Sequence, residues 1–198
     1  MLALGQHKGI IFDLDGTLVD SKLDFDLLCQ QLGWPQGTPI LEHLATFSPE
    51  SAAHKRASQI IYDFELAGAR TATWLPGAEQ LVQTLAQQGI PMAILTRNMR
   101  EATTLCITQL SMPISLVVTR EDCLPKPDPS GLWHIAEAWQ MQNHELLFIG
   151  DYLFDLQTAR NASMPSCLYM TPENQHFQPM ADFVLTDFAH LTALYQGD

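Results

Sequence analysis

Two carboxylates stand one residue apart at the end of an apolar run. Residues 10–17 read IIFDLDGT, so Ile10-Ile11-Phe12 leads into Asp13, and Asp15 follows before Gly16 and Thr17. Like charges repel, and a strand that needed only a polar end would use one. In an extended segment, residues i and i+2 point the same way. Asp13 and Asp15 can therefore face one reacting group, one attacking a phosphorus while the other handles a proton. Such a pair splits a difficult hydrolysis into two easier steps through a covalent intermediate.

Other chemistry-bearing residues end other apolar runs. Thr96 closes PMAIL, Lys126 stands in a KPDP loop beyond ISLVV, Asp151 closes LLFIG, and Asp155 lies one helical turn after it. Residues four apart on a helix share a face, so Asp151 and Asp155 can address one site. Carboxylates gathered this closely need a cation. Oxygen-only donors select a hard ion, and Mg²⁺, which favours few carboxylates plus phosphate oxygens and water, fits best. Lys126 adds a positive charge worth about 4 kcal/mol against an anion at about 4 Å and moderate dielectric. Thr96 offers a hydroxyl donor. Gly16 lets the backbone bend closely around a ligand.

These residues meet only if the strands that carry them end at one edge. From Pro76 onward, helical and strand patterns alternate. Helix is expected at 78–88, 99–110, 129–141, 152–162 and 187–196. Strand is expected at 91–96, 114–119, 146–151, 166–170 and 182–186. Continuous apolar strands separated by helices predict an α/β fold, a Rossmann-like parallel sheet with helices on both faces. Ligands bind such sheets outside the carboxyl ends of the strands. Residues 20–75 break the rhythm. They show helical patterns at 24–33, 40–47 and 50–70 and no convincing strand. The expected division is a Rossmann-like catalytic core, 1–19 and 76–198, with a small all-helical cap, 20–75, inserted after the first strand.

Composition narrows the class. The chain has 198 residues, 46% hydrophobic and 16% charged, with a net charge of −12 and no Lys or Arg after Arg160. That describes a globular domain without a basic face for nucleic acid. No apolar stretch approaches the ~20 residues of a membrane span. The first strand begins too soon to leave room for a signal peptide. Cys29, Cys106, Cys123 and Cys167 are scattered without metal-ligand spacing. Free thiols in a reducing cytoplasm are expected.

The ordered set resembles the haloacid dehalogenase superfamily of phosphatases. D-x-D-G-T matches at Asp13–Thr17, the strand-end Thr at Thr96, Lys before Pro at Lys126-Pro127, and G-D-x-x-x-D at Gly150, Asp151 and Asp155. The helical block resembles the small cap of phosphoglycolate-phosphatase-like members. The resemblance implies that Asp13 is the nucleophile and a Mg²⁺ ligand. It makes Asp15 the general acid and base, with its backbone carbonyl also reaching the metal. Thr96 and Lys126 would hold the phosphoryl group. Asp151 would ligate Mg²⁺, with Asp155 as a ligand or beside one. Asp15 speaks against dehalogenation, because dehalogenases of the superfamily lack the second acid. Arg97-Asn98 follows Thr96 where many relatives place Asn directly. Arg97 either touches the substrate phosphate or lies on a solvated face. The expectation is a Mg²⁺-dependent hydrolase of a small phosphorylated metabolite, monomeric or weakly dimeric. A phosphomutase of the same superfamily and a receiver-like phospho-acceptor are the alternatives.

Overall fold

The computed structural model describes residues 2–196. Strand β1 (Gly9–Phe12) is four apolar or small residues, all fully buried. It forms the middle of a parallel sheet with β4 (Met92–Leu95), β5 (Leu116–Val118), β6 (Leu146–Gly150), β7 (Ser166–Tyr169) and β8 (Phe183–Leu185). The order across the sheet is β5-β4-β1-β6-β7-β8. Every pairing is parallel. Counted along the chain, these strands run 3-2-1-4-5-6, and the direction of winding reverses between β1 and β6. A crevice forms where such a reversal occurs. Asp13 follows β1 and Asp151 follows β6, so both acids fall at this point.

Alternation along the strands divides the core between two faces. Ile10, Phe12, Ile94 and Ile149 pack with Leu81 and Leu85 of α4 (Ala78–Gln87), Ala102 and Cys106 of α5 (Arg100–Gln109), and Phe188 and Leu191 of α8 (Phe188–Gln196). Ile11, Ala93, Leu95 and Phe148 face the other way. They meet Leu132 and Ile135 of α6 (Ser130–Trp139) and Ala159 of α7 (Leu153–Asn161). Burying both faces explains why the strands read as unbroken apolar runs. All four cysteines are free, and three are buried.

Between β1 and α4 lie α1 (Phe25–Leu32), α2 (Ile40–Leu44) and α3 (Ala52–Thr71). Asp24 caps α1 by accepting from the Leu27 amide at 2.9 Å, and Ser51 caps α3 by accepting from His54 at 3.1 Å. The segments on either side of this block do more than connect. Val19–Asp20 (β2) pairs antiparallel with Thr73–Trp74 (β3), in register Val19↔Trp74 and Asp20↔Thr73. The sequence pattern predicts no strand at Asp20 or at Thr73–Trp74. Two residues are too few to show an alternating pattern. The ribbon holds the chain's departure and return together, so the helical block leaves and rejoins the rest of the chain at one place.

Helix α3 is fastened to the sheet-bearing part. Tyr62 donates to Glu101 at 2.8 Å, Arg120 donates to Glu65 at 2.6 Å, and Gln109 donates to the Arg70 carbonyl at 3.3 Å. Gly68 allows a close crossing, because a Cβ there would lie 2.5 Å from Leu23 Cδ2. No helix among the described residues is long and apolar enough to cross a membrane.

Candidate active site

The loop after β1 is wound tightly around one carbonyl. The amides of Thr17, Leu18 and Val19 all donate to the Leu14 oxygen, at 3.3, 2.9 and 3.1 Å. Leu14 is buried in the core, while Asp13 and Asp15 both line a cavity of about 470 Å³ on the opposite side. The turn requires a left-handed residue, and Gly16 supplies it at φ +83°. A Cβ at Gly16 would stand 2.6 Å from Asp151 Oδ2. Gly16→Ala should therefore cost about 1–3 kcal/mol of stability through backbone strain and the displaced carboxylate. Urea denaturation checks this, and an unchanged midpoint would mean the loop yields freely.

All the expected site residues line one cavity at this edge. Lys126 Nζ lies 2.6 Å from Asp13 Oδ1 and 2.6 Å from Asp155 Oδ1, almost wholly buried. Asp151 Oδ1 accepts from the Thr17 hydroxyl at 3.3 Å. Asp155 Oδ2 accepts from the Tyr152 amide at 2.9 Å and so caps α7. Gly150 is needed there, because a Cβ would fall 2.3 Å from Asp155 Cγ. Thr96 follows β4, and its hydroxyl accepts from the Asn98 amide at 3.0 Å. Arg97 lines the cavity too, with its guanidinium already engaged by other groups. It donates to the Lys126 carbonyl at 2.5 Å and to both Glu42 carboxylate oxygens at 2.8 and 2.9 Å, and it lies 4.4 Å over the Phe154 ring.

The haloacid dehalogenase-like hydrolase family model matches residues 35–169, a span that holds Thr96, Lys126, Asp151 and Asp155 and begins after Asp13 and Asp15. This chain belongs to the haloacid dehalogenase-like hydrolases. It is 30% identical to a haloacid dehalogenase-like hydrolase domain-containing protein of Arabidopsis thaliana, over 81% of this chain and 70% of that one. It is 28% identical to a phosphoglycolate phosphatase of Vibrio vulnificus, over 93% and 94%. A crystal structure of a hydrolase from Pseudomonas syringae shares the fold, with a TM-score of 0.72, 21% identity, and coverage of 94% and 96%.

In this hydrolase, burial and charge oppose one another within a few ångströms. Burial drives the Asp13 carboxyl well above its ordinary range. The Lys126 ammonium pulls it down, and the Asp155 and Asp151 carboxylates push it up again. Asp151 is raised to about 7, chiefly by burial and then by Asp155. Lys126 moves upward because its two carboxylate partners outweigh the burial that would discharge it. Asp13, Asp151 and Asp155 each offer an oxygen within 4.8 Å of the others. A small all-oxygen cluster in which burial and neighbouring carboxylates push Asp13 and Asp151 upward suits a hard divalent cation.

Three residues that sequence reasoning missed complete the site. Ser21, at the foot of the helical block, donates to Asp15 Oδ1, and Asn98 Nδ2 donates to Asp15 Oδ2 at 3.0 Å. Together they fix the plane of that carboxylate. The Ser21 hydroxyl can also turn to accept, so it can follow a proton arriving on Asp15. Glu65 of α3 reaches the cavity wall, where Arg120 and the Met99 amide bind it, at 2.6 and 3.3 Å. Burial pushes its carboxyl upward against the pull of Arg120.

Proposed function

We propose that this hydrolase is a Mg²⁺-dependent phosphatase acting on a small phosphomonoester through an aspartyl-phosphate at Asp13. The reading rests on one observation: Asp13, Asp15, Lys126 and Asp151 converge at the floor of a cavity roofed by the helical block. Residues 20–75 act as its cap. The core, 1–19 and 76–198, carries the reacting groups.

Asp13 attacks phosphorus, and the bond from phosphorus to the leaving oxygen breaks. Asp15, held in plane by Ser21 and Asn98, gives that oxygen a proton. It then takes a proton from the water that attacks the aspartyl-phosphate, which frees phosphate and restores Asp13. The Thr96 hydroxyl and the Lys126 ammonium hold phosphoryl oxygens. Asp155 keeps Lys126 aimed at Asp13, since one of its oxygens is spent on Lys126 and the other on Tyr152. Asp13, Asp151 and the Asp15 carbonyl would hold Mg²⁺, with Asp155 beside them, and the bound ion supplies positive charge to offset carboxylates and phosphate alike.

Turnover of para-nitrophenyl phosphate tests the reading. Excess EDTA should reduce it to background, and added Mg²⁺ should restore it. Asp151→Ala should raise the Mg²⁺ concentration required or remove activity. A rate indifferent to chelation would show that the cluster holds no metal. The pH dependence has a definite sign. The Asp151 carboxyl sits at about 7 in the folded protein, above its ordinary 3.8. Its contribution to metal-free stability is therefore full below pH 3.8 and lost as pH rises through about 7. Metal binding needs the deprotonated group, so apparent Mg²⁺ affinity should fall up to about tenfold per pH unit below that point. Melting temperatures with and without Mg²⁺ from pH 6 to 8 read both effects, about a unit either side of the Asp151 value. A stabilisation by Mg²⁺ that is flat in pH would contradict the assignment.

A further inference from the structure

We propose that the leaving group accepted by this site is uncharged and largely apolar, and that phosphoglycolate, with its second anionic end, is a poor substrate. This rests on the phosphatase reading above and concerns the far side of the same cavity. The floor is polar. The wall supplied by the helical block is mostly apolar, with Leu23, Phe25, Leu28, Ile40 and Leu41 beside the polar Asp26, Thr38 and Glu65, and Phe154 enters from the core.

A substrate carboxylate would need a cation there, and among the described residues only Arg97 and Lys126 line the space with positive charge. Lys126 is committed to Asp13 and Asp155. Arg97 is committed to Glu42 and to the Lys126 carbonyl, with its flat face on Phe154. Arg120, nearby, is paired with Glu65. Lys22, Lys55, Arg56 and Arg70 of the helical block do not reach the cavity. The charged groups from that block that do reach it are Asp26 and Glu65, both acids. A second anion would be desolvated with no free cation among the described residues to meet it and with the Asp26 carboxylate nearby, which disfavours it. Carbon atoms in the same place cover apolar wall and are favoured.

The test compares benzyl phosphate with phosphoglycolate, both esters of primary alcohols. Para-nitrophenyl phosphate serves as an independent check that the enzyme turns over. With Mg²⁺ present, kcat/KM for benzyl phosphate should exceed that for phosphoglycolate by about a hundredfold or more, the scale set by an unpartnered charge rather than by a methylene. Ile40→Arg places a cation on the half-buried wall. It should narrow the ratio by about tenfold or more, with phosphoglycolate rising and benzyl phosphate falling. Phe25→Arg, at an exposed position, makes the same test should the first variant not fold. If phosphoglycolate equals or exceeds benzyl phosphate while para-nitrophenyl phosphate is hydrolysed, the proposed leaving group is wrong and the phosphatase reading stands. A ratio unmoved by both variants would likewise overturn it, because the wall would then not face the leaving group. If para-nitrophenyl phosphate is not turned over, the phosphatase reading fails and this inference falls with it.

Discussion

Asp13→Asn should lower turnover of para-nitrophenyl phosphate by about 10³-fold or more, the scale on which loss of a covalent nucleophile is felt, and should leave the fold intact. The two halves of this expectation have different causes. An amide nitrogen or oxygen cannot form the aspartyl-phosphate, so the chemical step loses its first bond. The fold tolerates the change because Lys126 keeps Asp155 at 2.6 Å and can still donate to the Asn oxygen. A buried lysine left with no partner would be costly, but this one is not left so. The substitution also removes a charge that burial, Asp155 and Asp151 all disfavour. The raised Asp13 carboxyl withdraws stability from the metal-free wild type as pH climbs through its folded value. The variant has no such group, so its relative stability should improve with rising pH. Circular dichroism, thermal melts at several pH values and a phosphatase assay read the three parts. Activity like wild type would remove Asp13 from the nucleophile's role.

The carboxylates could be found by reading the chain because each sits where a simple pattern ends. Ile10-Ile11-Phe12 and the run Leu146 to Gly150 are unbroken apolar strands buried on both faces. A charge directly after such a strand in a parallel sheet has to lie at the common edge. The four-residue spacing of Asp151 and Asp155 suggests a shared helix face, but Asp151 lies in the turn before α7 and Asp155 in its first turn, so the turn joining β6 to α7 brings them together. Gly16 and Gly150 were visible as motif letters, but the distances explain them: either Cβ would collide with a site carboxylate.

Ser21 and Asn98 gave no such signal. A serine and an asparagine in loops 77 positions apart carry no period, and it is the tight turn bonding Gly16 to the Val19 carbonyl that brings Ser21 back to Asp15. Glu65 defeats pattern reading more directly. It occupies a buried position on α3, where an apolar side chain would be expected, because Arg120 and the Met99 amide are waiting for it. Arg97 could be placed beside the phosphate pocket by its distance from Thr96, yet the direction of its guanidinium depends on Glu42, which a non-local packing of α2 delivers. Edge position is a property of local sequence. Hydrogen-bond partnership across the cap boundary is not.

Asp15→Asn should separate the two acids by role. A general acid matters in proportion to how badly the leaving group needs a proton. The alkoxide of benzyl alcohol leaves poorly, whereas nitrophenolate leaves well unaided. General acid catalysis is worth about 10²–10⁴-fold, so benzyl phosphate should slow by that amount. Formation of the aspartyl-phosphate from para-nitrophenyl phosphate should slow far less. The carboxamide can keep the plane of the carboxylate. Its oxygen accepts from Asn98, and its amide hydrogen can go to the Ser21 hydroxyl, which turns to receive it. Geometry is thus preserved while the proton is lost. The second step suffers as well, since the attacking water no longer has a base. The phospho-enzyme should then accumulate, seen as a burst of nitrophenolate in rapid mixing and as a phosphate added to the mass of the intact chain. Equal losses on both substrates in single-turnover experiments, with no trapped intermediate, would mean that Asp15 only shapes the loop around Gly16 and Asp151.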